Sequence, residues 1–333
     1  MQVHYNIAQL QAFSNAFLTI GTFDGVHTGH QQIIQLMKDE AAKVNGETVI
    51  ITFHPHPRRV ISGQKPLFLI NTLEEKLSLL DKYGIQHVVV VPFTEAFANQ
   101  TAEAYIRDFL VKIFHPHTII IGHDHRFGKN RQGDFQLLED KAADYGYEVK
   151  EIPGFMLDDV TISSTKIRAA LLEDDMDTAN HFLGYDYFFS GKVVEGNKLG
   201  RTIGYPTANL QITDEQKLIP GNGVYAVEVV MNNEWKVLNG ELSMVNSERS
   251  MVNRETAKLK GMMNIGVRPT VDGTKRMIEV NLFDFDREIY GEILTVSIRK
   301  HLRNEQKFDG LESLKNQLAK DKIQAIAWLK VES

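Results

Sequence analysis

The sequence predicts two fold classes in one chain, a doubly wound parallel α/β sheet followed by a small antiparallel β-barrel with a closing helix. In the first half, short β-branched segments alternate with segments whose apolar residues recur at helical spacing, a pattern typical of β-α-β units. In the second half, strand-like alternation continues without intervening helices until a last periodic segment. Because the pattern changes near Gly184, we expect domains at residues 1–184 and 185–333, which agrees with the length of 333 residues.

The individual elements follow from the spacing of the apolar residues. In the first domain the predicted strands are residues 16–21, 48–53, 87–91 and 118–121, and the predicted helices are residues 73–83, 101–114, 134–145 and 164–172. In the second domain the predicted strands are residues 187–194, 223–230, 277–283 and 293–298, and the closing helix is residues 311–329.

The composition favours small-molecule partners. Charged residues make up 24% of the chain and the formal net charge is -6, so the whole molecule does not attract nucleic acid or an anionic membrane. The first residues lack a basic segment followed by an apolar one, and no apolar run reaches membrane-spanning length, so we expect a cytoplasmic protein. We also expect a monomer or weak homo-oligomer. The absence of cysteine excludes disulfides, thiolate metal sites and thiol nucleophiles.

The first candidate site is residues 21–30, which follow the first predicted strand and open a helix. His27 and His30 lie three residues apart and are expected to share a helical face beside a helix N-terminus, where phosphate binds readily. The glycines of the segment allow the backbone to approach a ligand closely. The pattern predicts nucleotide phosphate chemistry, with metal ligation or an ordinary surface role as alternatives.

Three further segments of the first domain carry groups that bind ligands. Residues 53–57 and 122–128 follow predicted strands, so they meet the first segment at the carboxyl edge of the sheet. Residues 162–168 place hydroxyls and backbone amides at a helix start, with Lys166 and Arg168 adding positive charge that suits a triphosphate. The alternative for this last segment is a serine-rich helix cap with solvated bases.

In this order the four segments resemble the adenylyltransferase half of bacterial bifunctional riboflavin kinase/FAD synthetases, over about residues 1–184. The resemblance implies a Rossmann-like nucleotidyltransferase domain that transfers AMP from ATP to FMN, with Mg²⁺, forming FAD and pyrophosphate. It makes His27 and His30 the catalytic residues. The ATP and phosphate contacts that it implies are Gly21, Phe23, Asp24, Gly29, Ser163, Ser164, Thr165 and Arg168, and the flavin contacts are His56, Asp124, Arg126 and Phe127.

Two residues depart from the family pattern. His54 stands where an acidic residue is common, and His125 stands where an aromatic residue is common.

The histidine pairs at 54/56, 115/117 and 123/125 suggest an alternative function, a metal hydrolase, since imidazoles at strand ends often bind divalent metals. Such a site needs a converging carboxylate and an open water position. His115 and His117 precede a strand, away from the crevice, and are expected on the surface.

In the second domain, residues 196–209 join a glycine-spaced loop to a Pro-Thr-Ala-Asn turn. The glycines allow close approach to phosphates, but no Gly-Lys-Ser/Thr follows, so this is not a Walker loop. Thr207 and Asn209 offer uncharged oxygen ligands for a nucleotide-bound Mg²⁺, and a plain turn and strand is the alternative. Glu279 is expected to point the same way as Asn281 and Phe283, as a candidate base or a solvated carboxylate.

Residues 196–209, 223–225, 264–270 and 279–285 together resemble the riboflavin kinase domain of the same family, from about residue 187 onward. The resemblance implies transfer of the ATP γ-phosphoryl group to the riboflavin 5′-hydroxyl, with Glu279 as the catalytic base and Arg268 as a flavin contact. Thr207 and Asn209 become the metal ligands. The ATP contacts implied are Gly196, Lys198, Gly200, Gly204, Pro206, Thr207 and Asn209.

Residues 241–260 form a longer and more polar segment than the hairpin connection usual in the family. An insertion there either extends a loop harmlessly or alters flavin access to the kinase site. The main hypothesis is therefore a bifunctional enzyme that makes FMN and then FAD. The alternatives are an FMN adenylyltransferase with an impaired kinase half, and a flavin-binding carrier or regulator without turnover.

Overall fold

A computed structural model describes residues 1–62, 67–122, 125–152, 156–157, 160–196, 199–231, 234–238, 241–245, 258–270 and 273–330. Two compact units emerge from the contacts within the chain. The first unit contains residues 1–164 and 235–243, and the second contains residues 165–234 and 244–333.

Sixteen strands and eleven α-helices are assigned in the described residues. The strands are β1 Gln2–His4, β2 Phe17–Ile20, β3 Thr48–His54, β4 His87–Pro92, β5 Thr118–Gly122, β6 Glu148–Ile152, β7 Met156–Leu157, β8 Val160–Thr161, β9 Phe188–Val194, β10 Ala208–Gln211, β11 Gly223–Met231, β12 Glu234–Leu238, β13 Glu241–Val245, β14 Leu259–Thr270, β15 Gly273–Leu282 and β16 Ile293–Asn304. The helices are α1 Thr28–Lys43, α2 Pro57–Ser62, α3 Leu73–Lys82, α4 Glu95–Ala98, α5 Ala102–Ala104, α6 Lys112–Phe114, α7 Phe135–Tyr145, α8 Ser164–Leu172, α9 Met176–Leu183, α10 Leu199–Thr202 and α11 Leu311–Lys330. A π-helical segment, Tyr105–Val111, joins α5 to α6, and short 3₁₀ turns cover Ile7–Gln9 and Lys129–Arg131.

The first unit is built on a sheet in which six neighbouring strands run parallel, in the order β1-β4-β3-β2-β5-β6. The order turns at β2, which pairs with β3 on one side and β5 on the other. This arrangement confirms the predicted doubly wound sheet, and ligands in such sheets bind outside the carboxyl ends of the strands at the turning point. Strands β1 and β6 were not among the predicted elements.

The core of the first unit lies where helices cover the central strands. All four residues of β2 are buried, and buried residues such as Leu18, Ile51 and Ile121 join one apolar cluster with the π-helical segment. Strands that are buried on both faces read as continuous apolar runs, which explains why β2 to β5 were visible in the sequence. The core fixes the carboxyl edge of the sheet as a rigid base for the loops beyond it.

The hairpin β12–β13 extends this sheet at its β1 edge. Strand β13 pairs antiparallel with β1, with Gln2 opposite Glu241. The first five residues of the predicted insertion, 241–245, are thus a strand, whereas residues 246–257 lie outside the described residues.

The second unit contains a closed antiparallel barrel in the order β10-β15-β14-β11-β16-β9. Helix α11 packs against one face of the barrel, where Ala325 and Leu329 contact a cluster that includes Met262 and Phe283. The fully buried Asp321 of α11 accepts a hydrogen bond at 2.7 Å from Nη2 of Arg303 on β16. These observations confirm the predicted barrel with its closing helix.

Along the chain, helices α8 and α9 lie between the six parallel strands of the sheet and the strands of the barrel. Contacts assign residues 165–234 and 244–333 to the second unit, which therefore includes α9 and nearly all of α8. The boundary predicted at residue 184 concerns the functional domains and stays a prediction.

Candidate functional site

The loop that follows β2 has an unusual backbone. Phe23, Gly25 and Val26 all have positive φ angles, 47°, 90° and 35° respectively. A positive φ is strained for a β-branched residue such as Val26, and such strain persists only where the surroundings hold the backbone firmly. Phe23 and Val26 are both buried and anchor the loop. The loop is therefore fixed in shape at the turning point of the sheet.

Asp24 fastens this loop to the segment before α3. Its buried carboxylate accepts hydrogen bonds from the backbone N–H groups of Ile70 at 3.0 Å and Asn71 at 3.2 Å. The Ser164 hydroxyl donates to the Asp24 carbonyl oxygen at 2.9 Å. This geometry gives Asp24 a role in positioning the loop, and its predicted contact with ATP stays a prediction.

His27 and His30 lie face to face at the start of α1. Their ring centroids are 3.7 Å apart with an angle of 15° between planes, and the Phe23 ring lies 4.6 Å from that of His30. His27 has an extended backbone and caps the helix, its Nδ1 accepting from the His30 N–H at 3.4 Å. The expectation that both residues share a helical face is wrong for His27, because a capping residue precedes the helix. Stacking, rather than helical spacing, brings the rings together.

The surroundings of His30 favour its neutral form. Burial holds the pKa of His30 well below its usual value, and the neighbouring His27 and Lys76 lower this pKa further. The enclosed Nδ1 of His30 has no hydrogen-bond partner among the described residues. A neutral imidazole has one donor and one acceptor nitrogen, so this ring offers a fixed polar group beside a helix N-terminus.

A small cavity lies beside the loop, and its polar lining includes Asp24, His54, His56, Asn71 and Lys76. Lys76 was not predicted as a site residue. Its Nζ donates to the Thr22 carbonyl at 2.9 Å and to the Thr52 hydroxyl at 3.2 Å.

Burial lowers the pKa of Lys76 to about 8, although the negative charge of Asp24 opposes this shift. The sequence did hold a signal for the residue. Residues 73, 76, 77 and 80 form one apolar face of α3, and Lys76 is the charged member of that face.

The predicted flavin contacts of the first unit lie on different parts of the carboxyl edge. His56 is buried and accepts at 3.2 Å from the Arg58 N–H. Phe127 is buried and stacks on Tyr105, with centroids 5.0 Å apart, so the π-helical segment contributes a ring that sequence reasoning missed. Arg126 is exposed and pairs with Asp134, the N-cap of α7.

The remaining predicted residues of this half are placed as follows. Gly21 directly follows β2 and donates its N–H to the Ile51 carbonyl at 3.1 Å, and Gly29 lies in the first turn of α1. Ser163 and Ser164 stand at the start of α8 in the first unit, whereas Thr165 and Arg168 lie on α8 in the second unit. Asp124 lies outside the described residues.

The metal-hydrolase alternative finds no ligand cluster in the described part of the chain, where no three His, Cys, Asp or Glu side chains are grouped to hold a metal. His115 is exposed, with a left-handed backbone at φ 45°. His117 is half-buried, with its Nδ1 2.9 Å from the Thr118 hydroxyl and its ring against Phe17. Both histidines precede β5, so they lie near the amino end of this strand and not at the carboxyl edge of the sheet.

In the second unit, two glycines before β10 allow close backbone approaches, one of them to Asn209. A Cβ atom added to Gly196 would overlap Nδ2 of Asn209, and one added to Gly200 would overlap the Tyr205 carbonyl oxygen. The buried Oδ1 of Asn209 has no hydrogen-bond partner among the described residues. An unsatisfied amide oxygen beside a glycine-containing loop suits a hard cation such as Mg²⁺.

Glu279 lies in a row of polar residues that crosses three strands. It is opposite Asn209 on β10 and opposite Asn264 on β14. Directly opposed residues of antiparallel strands project to the same face, with Cβ atoms about 5 Å apart. The predicted base and the predicted metal ligand are therefore neighbours, and Asn264 joins them as a residue that sequence reasoning did not single out.

The Pro-Thr-Ala-Asn turn is tied to the same strand. Asn281 on β15 donates from Nδ2 to the Pro206 carbonyl at 2.7 Å, which positions the adjacent Thr207. Gly204 needs its glycine, since φ is 85° there. The Lys198 position lies outside the described residues, as does the side chain of Arg268.

Replacing Gly196 by alanine tests whether this loop supports phosphorylation. Because the new methyl group displaces Asn209, we expect kcat/KM for the riboflavin phosphorylation that the sequence resemblance implies to fall by about 10- to 100-fold. Steady-state kinetics with varied ATP measures the effect. Gly310→Ala is the matched control, since a Cβ at Gly310 meets nothing within 4 Å. Equal rates for the Gly196 variant and the wild type would contradict a role for this loop.

Comparisons with known proteins agree with both halves of the geometry. The FAD synthetase family model matches residues 9–166, and the riboflavin kinase family model matches residues 183–329. Relatives described as bifunctional riboflavin kinase/FMN adenylyltransferase include one from Escherichia coli strain K12, which is 38% identical over 92% of this chain and 91% of its own length. Another, from Bacillus subtilis strain 168, is 35% identical over 98% of this chain and 95% of its own length.

A solved structure has the same fold. It covers 98% of both chains at 30% identity with a TM-score of 0.84, and its title names a macrolide-efflux protein from Streptococcus pneumoniae. In the described residues of the present chain, every helix is too short or too polar to cross a membrane.

The two family models match the chain one after the other, and the relatives named for both activities are covered over more than 90% of their own length. The chain belongs to the family of bifunctional riboflavin kinase/FMN adenylyltransferases.

Proposed function

We propose that the two activities of this bifunctional enzyme use two separate phosphate sites, one around His27 and His30 and the other around Asn209 and Glu279. The single observation that carries this proposal is the pairing in each unit of a glycine-containing loop with polar groups that suit phosphate chemistry. The second unit then phosphorylates riboflavin to FMN, and the first unit converts FMN to FAD.

In the adenylyl transfer, an oxygen of the FMN phosphate forms a bond to the α-phosphorus of ATP. The bond from this phosphorus to the bridging oxygen breaks, and pyrophosphate leaves. The phosphate is already anionic, so the enzyme has to align the reactants and stabilise the developing charge. His27, His30 and the N-terminus of α1 supply donors at fixed positions for this purpose. No covalent enzyme intermediate is needed.

In the phosphorylation, Glu279 accepts the proton of the riboflavin 5′-hydroxyl while the hydroxyl oxygen attacks the γ-phosphorus and ADP leaves. Thr207 and Oδ1 of Asn209 would hold the Mg²⁺ ion, and the enclosed unsatisfied oxygen of Asn209 supports this assignment. When bound, Mg²⁺ neutralises the charge of the ATP phosphates. Asn281 ties the turn that carries Thr207 to β15, the strand that carries Glu279.

Product chromatography tests the proposal directly. The purified protein receives either riboflavin or FMN with ATP and Mg²⁺, under oxidising and reducing conditions, and with EDTA in place of Mg²⁺ as a control. We expect riboflavin to give FMN and then FAD, FMN to give FAD, and EDTA to stop both reactions. A folded sample that gives neither product under any of these conditions would sink the proposal.

The same assay separates the two alternative functions. FAD formed from FMN but not from riboflavin indicates that the segment at residues 241–260 impairs the kinase half. Flavin binding without ATP consumption indicates a carrier or regulator. We also propose that the protein is cytoplasmic and a monomer or weak homo-oligomer, and sedimentation velocity over a range of protein concentrations tests its state of association.

A further inference from the structure

Lys76 is a buried cation whose described hydrogen-bond acceptors are neutral. The residue is 7% exposed, and its two hydrogen-bond acceptors are the Thr22 carbonyl and the Thr52 hydroxyl. An ammonium group has three N–H donors, and the described residues provide no third acceptor. Burying a cation is costly unless a counter-charge compensates it. The nearby Asp24 carboxylate is already shared between two backbone amides.

The position of Lys76 relates it to the adenylyl transfer site. It lines the cavity together with Asp24, His54 and His56. Through Thr22 it also holds the loop that carries Phe23 and Val26 in strained conformations. The charge of Lys76 is close enough to His30 to lower the pKa of this imidazole. A partly compensated cation in the wall of a cavity that the imidazoles of His54 and His56 also line is a candidate for anion recognition.

We propose that Lys76 binds a phosphate group of a substrate of the adenylyl transfer reaction, by donating its third N–H into the cavity. This inference rests on the function proposed for the first unit. The ligand chemistry is a phosphate anion, which comes either from FMN or from the triphosphate of ATP. The competing explanation is that Lys76 is only a structural link between α3, β3 and the loop.

Substitution by glutamine separates the two explanations. Lys76→Gln keeps an amide donor for Thr22 and Thr52 but carries no charge, whereas Lys76→Arg keeps the charge. We expect Lys76→Gln to lower kcat/KM for FAD formation by about 10- to 100-fold, the range of one charge-assisted hydrogen bond, and Lys76→Arg to recover part of this loss. Lys82→Gln is the matched control, because Lys82 is exposed on the same helix.

The KM values of Lys76→Gln for FMN and for ATP, measured separately, identify the source of the phosphate. A higher KM for FMN alone indicates the acceptor phosphate, and a higher KM for ATP alone indicates the triphosphate. Riboflavin phosphorylation by the same variant should be unchanged, which also keeps failure of this inference distinct from failure of the proposed function. Wild-type rates of FAD formation by Lys76→Gln with both substrates would overturn the inference.

The pH dependence gives a readout that a structural link would not produce. The protonated ammonium is the binding form, and its pKa in the free protein is about 8, so kcat/KM of the wild type should fall as the pH rises through 8. A bound phosphate raises this pKa, so the fall in kcat should occur at higher pH. Lys76→Gln should lack this fall. The other titratable groups that line the cavity are Asp24, His54 and His56, and His30 lies close enough for the charge of Lys76 to lower its pKa.

A measurement on the wild type covers the case in which the variants fail to fold. Calorimetric titration with inorganic tripolyphosphate between pH 7 and 9.5 should show affinity that declines above pH 8. Affinity that stays constant across this range would count against the inference. In a folded Lys76→Gln protein, NMR titration should show the pKa of His30 moving upward, because one of the charges that lowers it has been removed.

Discussion

Replacing Glu279 by glutamine is expected to lower the rate of riboflavin phosphorylation by about 10³-fold while FMN adenylylation stays at the wild-type rate. A positioned general base contributes about 10²- to 10⁴-fold, and glutamine keeps the size of the side chain but accepts no proton. Glu279 is directly opposite Asn209, so the change removes the base without emptying the site. Separate assays with riboflavin and with FMN measure the two rates.

Glu288→Gln is the matched control for this change, because Glu288 is an exposed glutamate further along the same unit. Its kinase rate should equal that of the wild type. If Glu279→Gln loses less than threefold in kcat at saturating riboflavin, then Glu279 is a solvated strand carboxylate and another group takes the proton. A parallel loss of adenylylation would instead indicate a global effect on the protein.

Replacing His30 by alanine is expected to lower FAD formation from FMN by about 10²- to 10³-fold and to leave FMN formation from riboflavin unchanged. The loss of one preorganised donor to a developing charge has effects of this size. His30 lies between Phe23 and His27 and holds an enclosed polar nitrogen, so its substitution removes both the donor and the stack that orients His27. Chromatographic assay of FAD and pyrophosphate release measures the loss.

His115→Asn is the control for a histidine outside the site. His115 is exposed and left-handed, a conformation that asparagine tolerates, so the fold and both activities should be retained. Because alanine at position 30 leaves a gap beside Phe23, His30→Asn and circular dichroism show whether the effect comes from the lost imidazole or from unfolding. Normal FAD formation by a folded His30 variant would rule out the proposed role of this residue.

The predicted elements that match the structure are those whose pattern depends on local spacing. Strands β2 to β5 are continuous apolar runs since both faces are buried, and α11 has an apolar stripe because one face packs on the barrel. By contrast, β6 has a mixed pattern with exposed residues at an edge of the parallel sheet, which explains why it was not predicted. Strand β1 has only three residues, too few to show a period.

The sequence by itself determined the order of the strongly periodic elements, the two kinds of fold and the segments that form the loops at strand ends. It determined these because periodicity, turn residues and motif order are local properties of the chain. Only the tertiary structure decided which side chains meet. The stack of His27 on His30, the row of Asn209, Glu279 and Asn264, and the contact of Lys76 with Thr22 all join residues through three-dimensional packing. Strand register decides which side chains are neighbours, and burial shifts the pKa values of those that titrate. Register and burial cannot be read from spacing along the chain.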